Sequence, residues 1–478
     1  MRRLLFTSLT ASMVCAACTA LTTTATTTRP ATTTRPVATT SESVATTTPR
    51  TTTEVTEATT TTLAPAFSLE LRPNAAWMGG AGCGLTVLDG DGTWHGFTSE
   101  YRAFPVESTQ DLARAPDGVM YAATSDGLYR IEGSTWQEMP RSEWSRPVEI
   151  AVDPVTGDLW GANYTTILRY DGSEWSGYEA AGLMGEGDEV HPRDVTVGPD
   201  GTVWAVTAST AARYDGSGWE WWGTGNGWDD EYSFDSIAVA GDGSVWVAAS
   251  DAVLRFDGDQ WEVLDPGFRS PQQVTASPGG EVFVTSWANG LAVYEGGRWS
   301  MIDKSTPGLD TDRIRSAYRD DSGRLWLGTS WGVTVLDGDA GAAYTMATSG
   351  LAGNCVEYLV VGGDGPMLPA PTEPRVGSLT GLLLENGAPT AGRDVVLCTD
   401  PPSTIFSGDH PCSGHVFSAV TTTGDDGVYT FTDVPIGSYE IAWQVDETTW
   451  RSYLIGGEEP VIREGEMTRL SAVDLADE

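Results

Sequence analysis

The side chains able to carry chemistry are few and scattered. The chain has four histidines, His95, His191, His410 and His415, and a single lysine, Lys304. No two histidines stand at a metal-ligand spacing in the middle of the chain. His410 and His415 flank Cys412, where an ordinary loop accounts for them. Carboxylates are so abundant that paired acids carry no information about glycoside cleavage. Asp229, Asp230 and Glu231, or Asp310 and Asp312, are candidates for weak binding of a hard cation, yet neither set follows the spacing of a calcium loop. These residue types point to a protein that is not an enzyme and needs no cofactor and no metal.

Charge narrows the partners. Asp and Glu total 66 against 27 Lys and Arg, a formal charge of -39, which repels phosphate backbones and anionic lipid alike and excludes nucleic acid as a partner. At 478 residues, with 56 Gly and 19 Trp, the composition favours more than one folded unit, many tight turns and many aromatic anchors, hence an all-β protein.

The amino terminus reads as an export signal, with Arg2 and Arg3 before the apolar stretch from Leu4 to Val14 and small residues up to Cys18. Ala16-Ala17-Cys18 resembles a lipoprotein lipobox, with Cys15 where a Leu is usual. That resemblance implies lipidation of Cys18 after cleavage, so that residues 1–18 are the signal and the protein is held at the outer side of a bacterial cell membrane by its lipid alone. A secreted, unanchored protein is the alternative. Residues 19–65 form a Thr- and Pro-rich linker; from 19 to 62, 23 of 44 positions are Thr, and no apolar periodicity is present from which to build a core. Of the remaining cysteines, Cys398 with Cys412 and Cys83 with Cys355 are the expected disulfides of an oxidising compartment.

From Trp77 to about Val361 the chain repeats. The marker is a Trp shortly after an acidic residue and Gly: Trp94, Trp136, Trp175, Trp219, Trp261 and Trp299, at spacings of 42, 39, 44, 42 and 38, with a weaker seventh copy reaching Tyr344. That period belongs to propeller blades. Short apolar runs alternate with Asp-Gly punctuation, as in Asp117-Gly118 and Asp200-Gly201, the signature of strands joined by tight turns. Four strands per copy place the tight turns on one face. The long connections, Gly96 to Gln110, Met139 to Pro147, Gly182 to Arg193 and Gly223 to Phe234, fall on the other. The first copy begins at its second strand, Ala76-Trp77-Met78, and Val356 to Val361 reads as the strand it lacks, which would close the ring and bring Cys83 to Cys355. Leu69 to Leu71 is the competing source of that strand.

Arg324-Leu325-Trp326-Leu327-Gly328-Thr329 and Ile167-Leu168-Arg169-Tyr170-Asp171-Gly172-Ser173-Glu174-Trp175 resemble the repeats of the two-component regulator propeller family. The resemblance implies a seven-bladed β-propeller over 66–365. In that family the propeller is often the extracytoplasmic sensor of a histidine kinase, a role the motifs alone do not transfer. After the Pro-rich linker 366–374, residues 375–478 are similar to the carboxypeptidase regulatory-like family, on Thr423-Gly424-Asp425-Asp426-Gly427-Val428-Tyr429-Thr430-Phe431 and Val434-Pro435-Ile436-Gly437-Ser438-Tyr439. This implies a small prealbumin-like β-sandwich and no peptidase activity.

The repeated Trp residues are expected in the core. Tyr101, Trp144, Tyr164, Trp228, Tyr232, Trp287 and Trp331 fall instead in loops of the long-loop face and are the candidate ligand-binding residues. Asp89-Gly90-Asp91-Gly92-Thr93-Trp94 resembles the Asp-box of sialidases, but one copy of Asp-Gly is what a hairpin turn requires. The expectation is a monomeric, non-catalytic surface lipoprotein that binds an extracellular glycan or protein, with the sandwich as accessory or adhesion module. A secreted propeller enzyme, lyase or hydrolase, and a purely structural envelope protein are the alternatives.

Overall fold

The computed structural model describes residues 71–98, 107–133, 135–142, 145–179, 191–228, 231–277, 279–338, 340–399, 410–412, 415–446, 449–452 and 460–476. Residues 1–18, expected as the signal with Cys18, the Thr-rich stretch 19–65, Tyr101, Trp144, Asp229 and Asp230 lie outside the described residues. Among the described residues every regular element is a strand, and no helix is long and apolar enough to cross a membrane.

Up to Val361 the described strands form seven four-stranded antiparallel sheets. Blade one is Tyr358–Val361, Ala76–Gly79, Leu85–Leu88 and Trp94–Phe97, in that spatial order. Its first strand comes from the far end of the repeat array, with Ala76 opposite Val361 and Gly79 opposite Tyr358, so Tyr358–Val361 supplies the strand missing from the first copy; of the competing Leu69 to Leu71, all but Leu71 lies outside the described residues. Blades two to seven follow in chain order, and their inner strands are Thr109–Arg114, Glu149–Val152, Pro192–Val197, Phe234–Val239, Pro271–Ala276 and Ile314–Arg319. Each inner strand packs on the next, and Tyr358–Val361 packs on both Ile314–Arg319 and Thr109–Arg114. The ring is closed, and no sheet is left open toward the axis.

Local chemistry explains the turns. Gly118 and Gly201 take φ of 91° and 83°, a conformation costly for any residue with a Cβ, in the turns between first and second strands. In blades one to six the register Trp is the first or second residue of the fourth strand: Trp94 faces Leu88, Trp136 faces Ile131, Trp175 faces Tyr170, Trp219 faces Tyr214, Trp261 faces Phe256 and Trp299 faces Tyr294. These rings fill the seams between blades. Trp136 lies 6.1 Å from Trp77 of blade one, Trp261 lies 6.2 Å from Trp204 of blade four, and Trp299 lies 6.4 Å from Trp246 of blade five.

Blade seven departs from the expected pattern. There Leu336 faces Gly341, so the register position holds glycine, and Tyr344 lies three residues further on, opposite Val333. The cause is the crossing from blade six. Gly308 lies so close to Gly341 that a Cβ on Gly341 would come within 2.8 Å of the Gly308 Cα, and the neighbouring Leu309 is buried with Leu336 in the cluster between blades six and seven.

Both disulfides form, Cys83–Cys355 with Cα atoms 5.8 Å apart and Cys398–Cys412 with 5.6 Å. Residues 366–375 are laid along the closing seam as a strap. Arg324 Nη1 donates to Pro366 O (3.0 Å), Met367 N to Gly90 O (3.2 Å), Tyr344 Oη to Pro369 O (2.8 Å) and Thr372 N to Thr348 O (2.8 Å). Arg375 ends the strap, its Nη2 donating to Met346 O and, at 3.0 Å, to Ser349 O. Beyond it, Val376–Glu385 pairs with Val428–Pro435 in one sheet, and Asp394–Cys398 pairs with Ser418–Thr422 and Glu440–Gln444 in a second. Leu379, Leu383, Val395, Leu397, Tyr429, Phe431, Ile441 and Trp443 form one buried cluster drawn from both sheets. Tyr429 and Phe431 alternate inward as their period-two spacing requires, after a turn at Gly427.

Candidate functional site at the long-loop end of the propeller axis

Each inner strand begins on the long-loop face, directly after a crossing between blades. In five of the seven the register slips near this end: at Gln110, at Arg193, at Asp235, across Gln272 and Gln273, and at Arg315. A bulge re-aims a side chain and interrupts pairing, and recurrence at one level in five blades places six long or charged polar side chains around the mouth of the axis. Two of them reach across a blade junction. Arg193 Nη1 meets Asp235 Oδ1 at 3.1 Å, and the Arg315 guanidinium lies 3.8 Å from the centre of the Trp287 ring. Trp287 comes from the turn between second and third strands of blade six and is 52 % exposed, a half-open aromatic surface backed by a cation.

One residue further in, three carboxyl groups stand on neighbouring inner strands at one register: Asp111 opposite Ala123, Glu149 opposite Ala162 and Asp194 opposite Val206. Asp111 accepts from its neighbour Leu112 N and from Ile150 N of blade three, both at 2.7 Å. Asp194 accepts from Val195 N (2.7 Å), from Ile237 N of blade five (2.9 Å) and from Ser236 Oγ (2.9 Å). The carboxylates thereby tie successive blades together around the axis. All three residues are half-buried among the inner strands, and that enclosure governs their protonation. Burial pushes Asp111 up to about 8, against the pull of the Ile150 amide and with the Asp194 charge adding to it. Asp194 is raised to about 6 by burial, and Glu149 is raised well above the ordinary range by burial and by its two acidic neighbours. Tyr358 completes this level from blade one, its phenol raised by burial and by Glu149 and Asp111.

The candidate aromatics divide. Tyr164 and Trp287 are open, Tyr164 at 73 %, with its carbonyl 2.5 Å from His191 Nδ1. Trp228 is not available to a ligand. It is 6 % exposed and packed against Phe234 and Trp261, because the loop before blade five folds back and needs an apolar anchor. Tyr232 is half-buried against the same cluster. Trp331 is half-buried against Tyr439 of the carboxyl-terminal sheets, with ring centres 5.4 Å apart, so it serves a contact within the chain. In the Asp89 to Trp94 turn, Asp89 accepts from Arg72 N and Gly90 N at 2.7 Å and from Arg72 Nη1 at 2.6 Å, the work of a turn and a chain anchor. Asp312 pairs with Lys304 at 3.2 Å.

The groups at this end suit recognition of a small polar group: two guanidinium groups, amide side chains and a half-exposed indole, next to carboxyl groups whose protonation burial favours. The middle of the chain is thus an all-β propeller with polar side chains at the long-loop ends of its inner strands. The family described as two component regulator propeller matches residues 308–331, the crossing into blade seven with that blade's inner strand and second strand. Among solved structures the chain is similar to virginiamycin B lyase from Staphylococcus aureus, at 16% identity over 55% of this chain and 94% of that one, with a TM-score of 0.42. It is also similar to the extracellular domain of a hybrid two component system from B. thetaiotaomicron, at 11% identity over 84% of this chain and 67% of that one, with a TM-score of 0.40. A protein from Lactobacillus plantarum matches at 16% identity over 60% of this chain and 98% of that one, with a TM-score of 0.43. No curated protein matches the chain significantly.

Proposed function

We propose that the propeller is a non-catalytic, monomeric binding module that takes an extracellular ligand, a glycan or a segment of protein, at the long-loop end of its axis. The observation that carries this reading is the ring of bulged polar residues, Gln110, Arg193, Asp235, Gln272, Gln273 and Arg315, beside the half-open Trp287. Two disulfides suit an oxidising exterior, in keeping with lipidation at Cys18 and a Thr-rich stalk that holds the propeller off the cell surface, with the carboxyl-terminal sheets as an accessory arm. Glycan and peptide arrays probed with the full chain test it. Trp287→Ala is expected to weaken binding at least ~10-fold, as loss of a central aromatic anchor does. Unchanged binding in Trp287→Ala and Arg315→Gln would place the site elsewhere.

A second reading has one observation in its favour. Asp111 shares one level with Glu149 and Asp194, and burial raises its carboxyl above the ordinary range, an arrangement suited to general-acid work in a lyase or hydrolase. Turnover of an array ligand, abolished by Asp111→Asn with binding retained, would favour the enzyme over the binding module.

A further inference from the structure

The chain enters and leaves the propeller at one place. Asn74 Nδ2 donates to Gly365 O (2.9 Å), Gly362 N donates to Ala75 O (3.0 Å), and a Cβ on Gly362 would collide with Pro73 O. From there Ala76–Gly79 and Tyr358–Val361 run antiparallel, and just past their far ends Cys83 and Cys355 are bonded, with the Cys355 amide also 3.2 Å from the Cys83 sulfur. The two cysteines are 272 positions apart in sequence, and everything between them, blades two to seven with the last two strands of blade one, lies on a covalently closed loop.

This wiring decides where tension goes. A pull between the segment before Leu71 and the carboxyl-terminal sheets first peels the strap, whose hydrogen bonds to Gly90, Tyr344 and Thr348 can open one after another. It next separates Ala76 from Val361 and works inward pair by pair, the weak direction for an antiparallel ladder because the bonds break singly rather than together. After Gly79 and Tyr358 the force reaches the disulfide, and from Cys83 to Cys355 it runs through two sulfur atoms.

We propose that Cys83–Cys355 is a tension bypass: it carries load applied to the ends of the chain around the propeller, so that the ring and its axis mouth keep their geometry while the protein is pulled. The source of the load rests on the surface-tether reading given above. The bypass itself rests only on connectivity.

Single-molecule pulling on the full chain, with handles at both ends, tests it without any ligand, so its failure and that of the binding reading are separate results. In oxidising buffer no unfolding step from the looped region is expected. Adding dithiothreitol to the same molecules, or pulling Cys83→Ser/Cys355→Ser, should add about 900–1,000 Å of contour, the length of 272 residues at ~3.3–3.6 Å each. That length is gained whether the doubly substituted ring is folded or already open. The proposal is overturned if the long step occurs in oxidising buffer with the disulfide verified by peptide mapping, or if reduction adds no length.

Discussion

Asp171 and Asp194 are the same residue with the same number of hydrogen-bond donors, yet they titrate in opposite directions. Asp171, in a tight turn of blade three, accepts from Ser173 N (2.8 Å), Ser173 Oγ (2.7 Å) and Glu174 N (2.9 Å), and is held down at about 2 by the Glu174 amide and the Ser173 contacts. Asp194, on the inner strand of blade four, also accepts three, and is raised to about 6. Solvent makes the difference. On the turn face water solvates whatever charge remains, so the donors act unopposed; beside the axis the loss of that water outweighs them. Hydrogen bonds to a carboxylate therefore say little about its charge until its surroundings are counted.

The two sets of acids give opposite signs to the pH dependence of stability. A carboxyl group raised on folding stabilises fully below its ordinary value near 4, and that contribution is lost as pH rises toward the folded value. For the axis acids the window runs from about pH 4 to about pH 8. The lowered turn acids, Asp171 and likewise Asp91 at about 2, contribute above pH 4 and lose that contribution as pH falls toward 2. Thermal stability should therefore peak near pH 4 to 5, below the neutral range.

The largest effect is expected from Asp194→Ala at pH 5, where no charge repulsion is relieved and the Val195 and Ile237 amides and the Ser236 hydroxyl lose their acceptor. Chemical denaturation should show a loss on the order of 3 kcal/mol. A loss no larger at pH 5 than for an exposed substitution would break the view that these acids bind blade to blade. Glu149→Gln should act the other way and with a smaller effect. It removes a carboxyl group crowded by Asp111 and Asp194, so its melting temperature should exceed that of the parent at pH 8 by roughly 2–4 °C and converge with it at pH 5. Equal shifts at both pH values would show that charge is not the cause. Asp171→Asn, which keeps the turn acceptor and drops the charge, should change least, with a slight deficit at pH 7 that vanishes at pH 2.

The ring was legible because its signals are periodic: a Trp at a fixed place in six copies, Asp-Gly between strands, a first copy one strand short and an unassigned strand at the far end. Blade seven broke the pattern because its register position is Gly341, against which Gly308 of a crossing segment, sequence-distant from the marker, packs too closely for a side chain. The axis acids were readable in principle. Asp111 and Asp194 each lie six positions before the Asp of a turn, Asp117 and Asp200, and directly before an apolar residue, Leu112 and Val195. Nothing local distinguishes them from the many solvated acids of a chain this negative, since what sets them apart is the approach of neighbouring blades. Aromatic residues in loops were the least reliable guide. Trp228 and Trp331 lie in long-loop-face connections as Trp287 does, and only the folded neighbours Phe234 and Tyr439 show that they are already occupied.

The seams between blades have an optical consequence. Trp204 and Trp222 stack at 5.4 Å, and Trp261 stands edge-on to them at 6.2 and 6.1 Å, close enough for their electronic transitions to couple. Such coupling imprints a paired positive and negative feature on the ultraviolet circular dichroism that peptide bonds in sheets do not produce. Its intensity depends on the angle between indoles belonging to two different blades. The protein thus carries its own spectroscopic gauge of whether blades four and five remain seated against each other, readable without any added label.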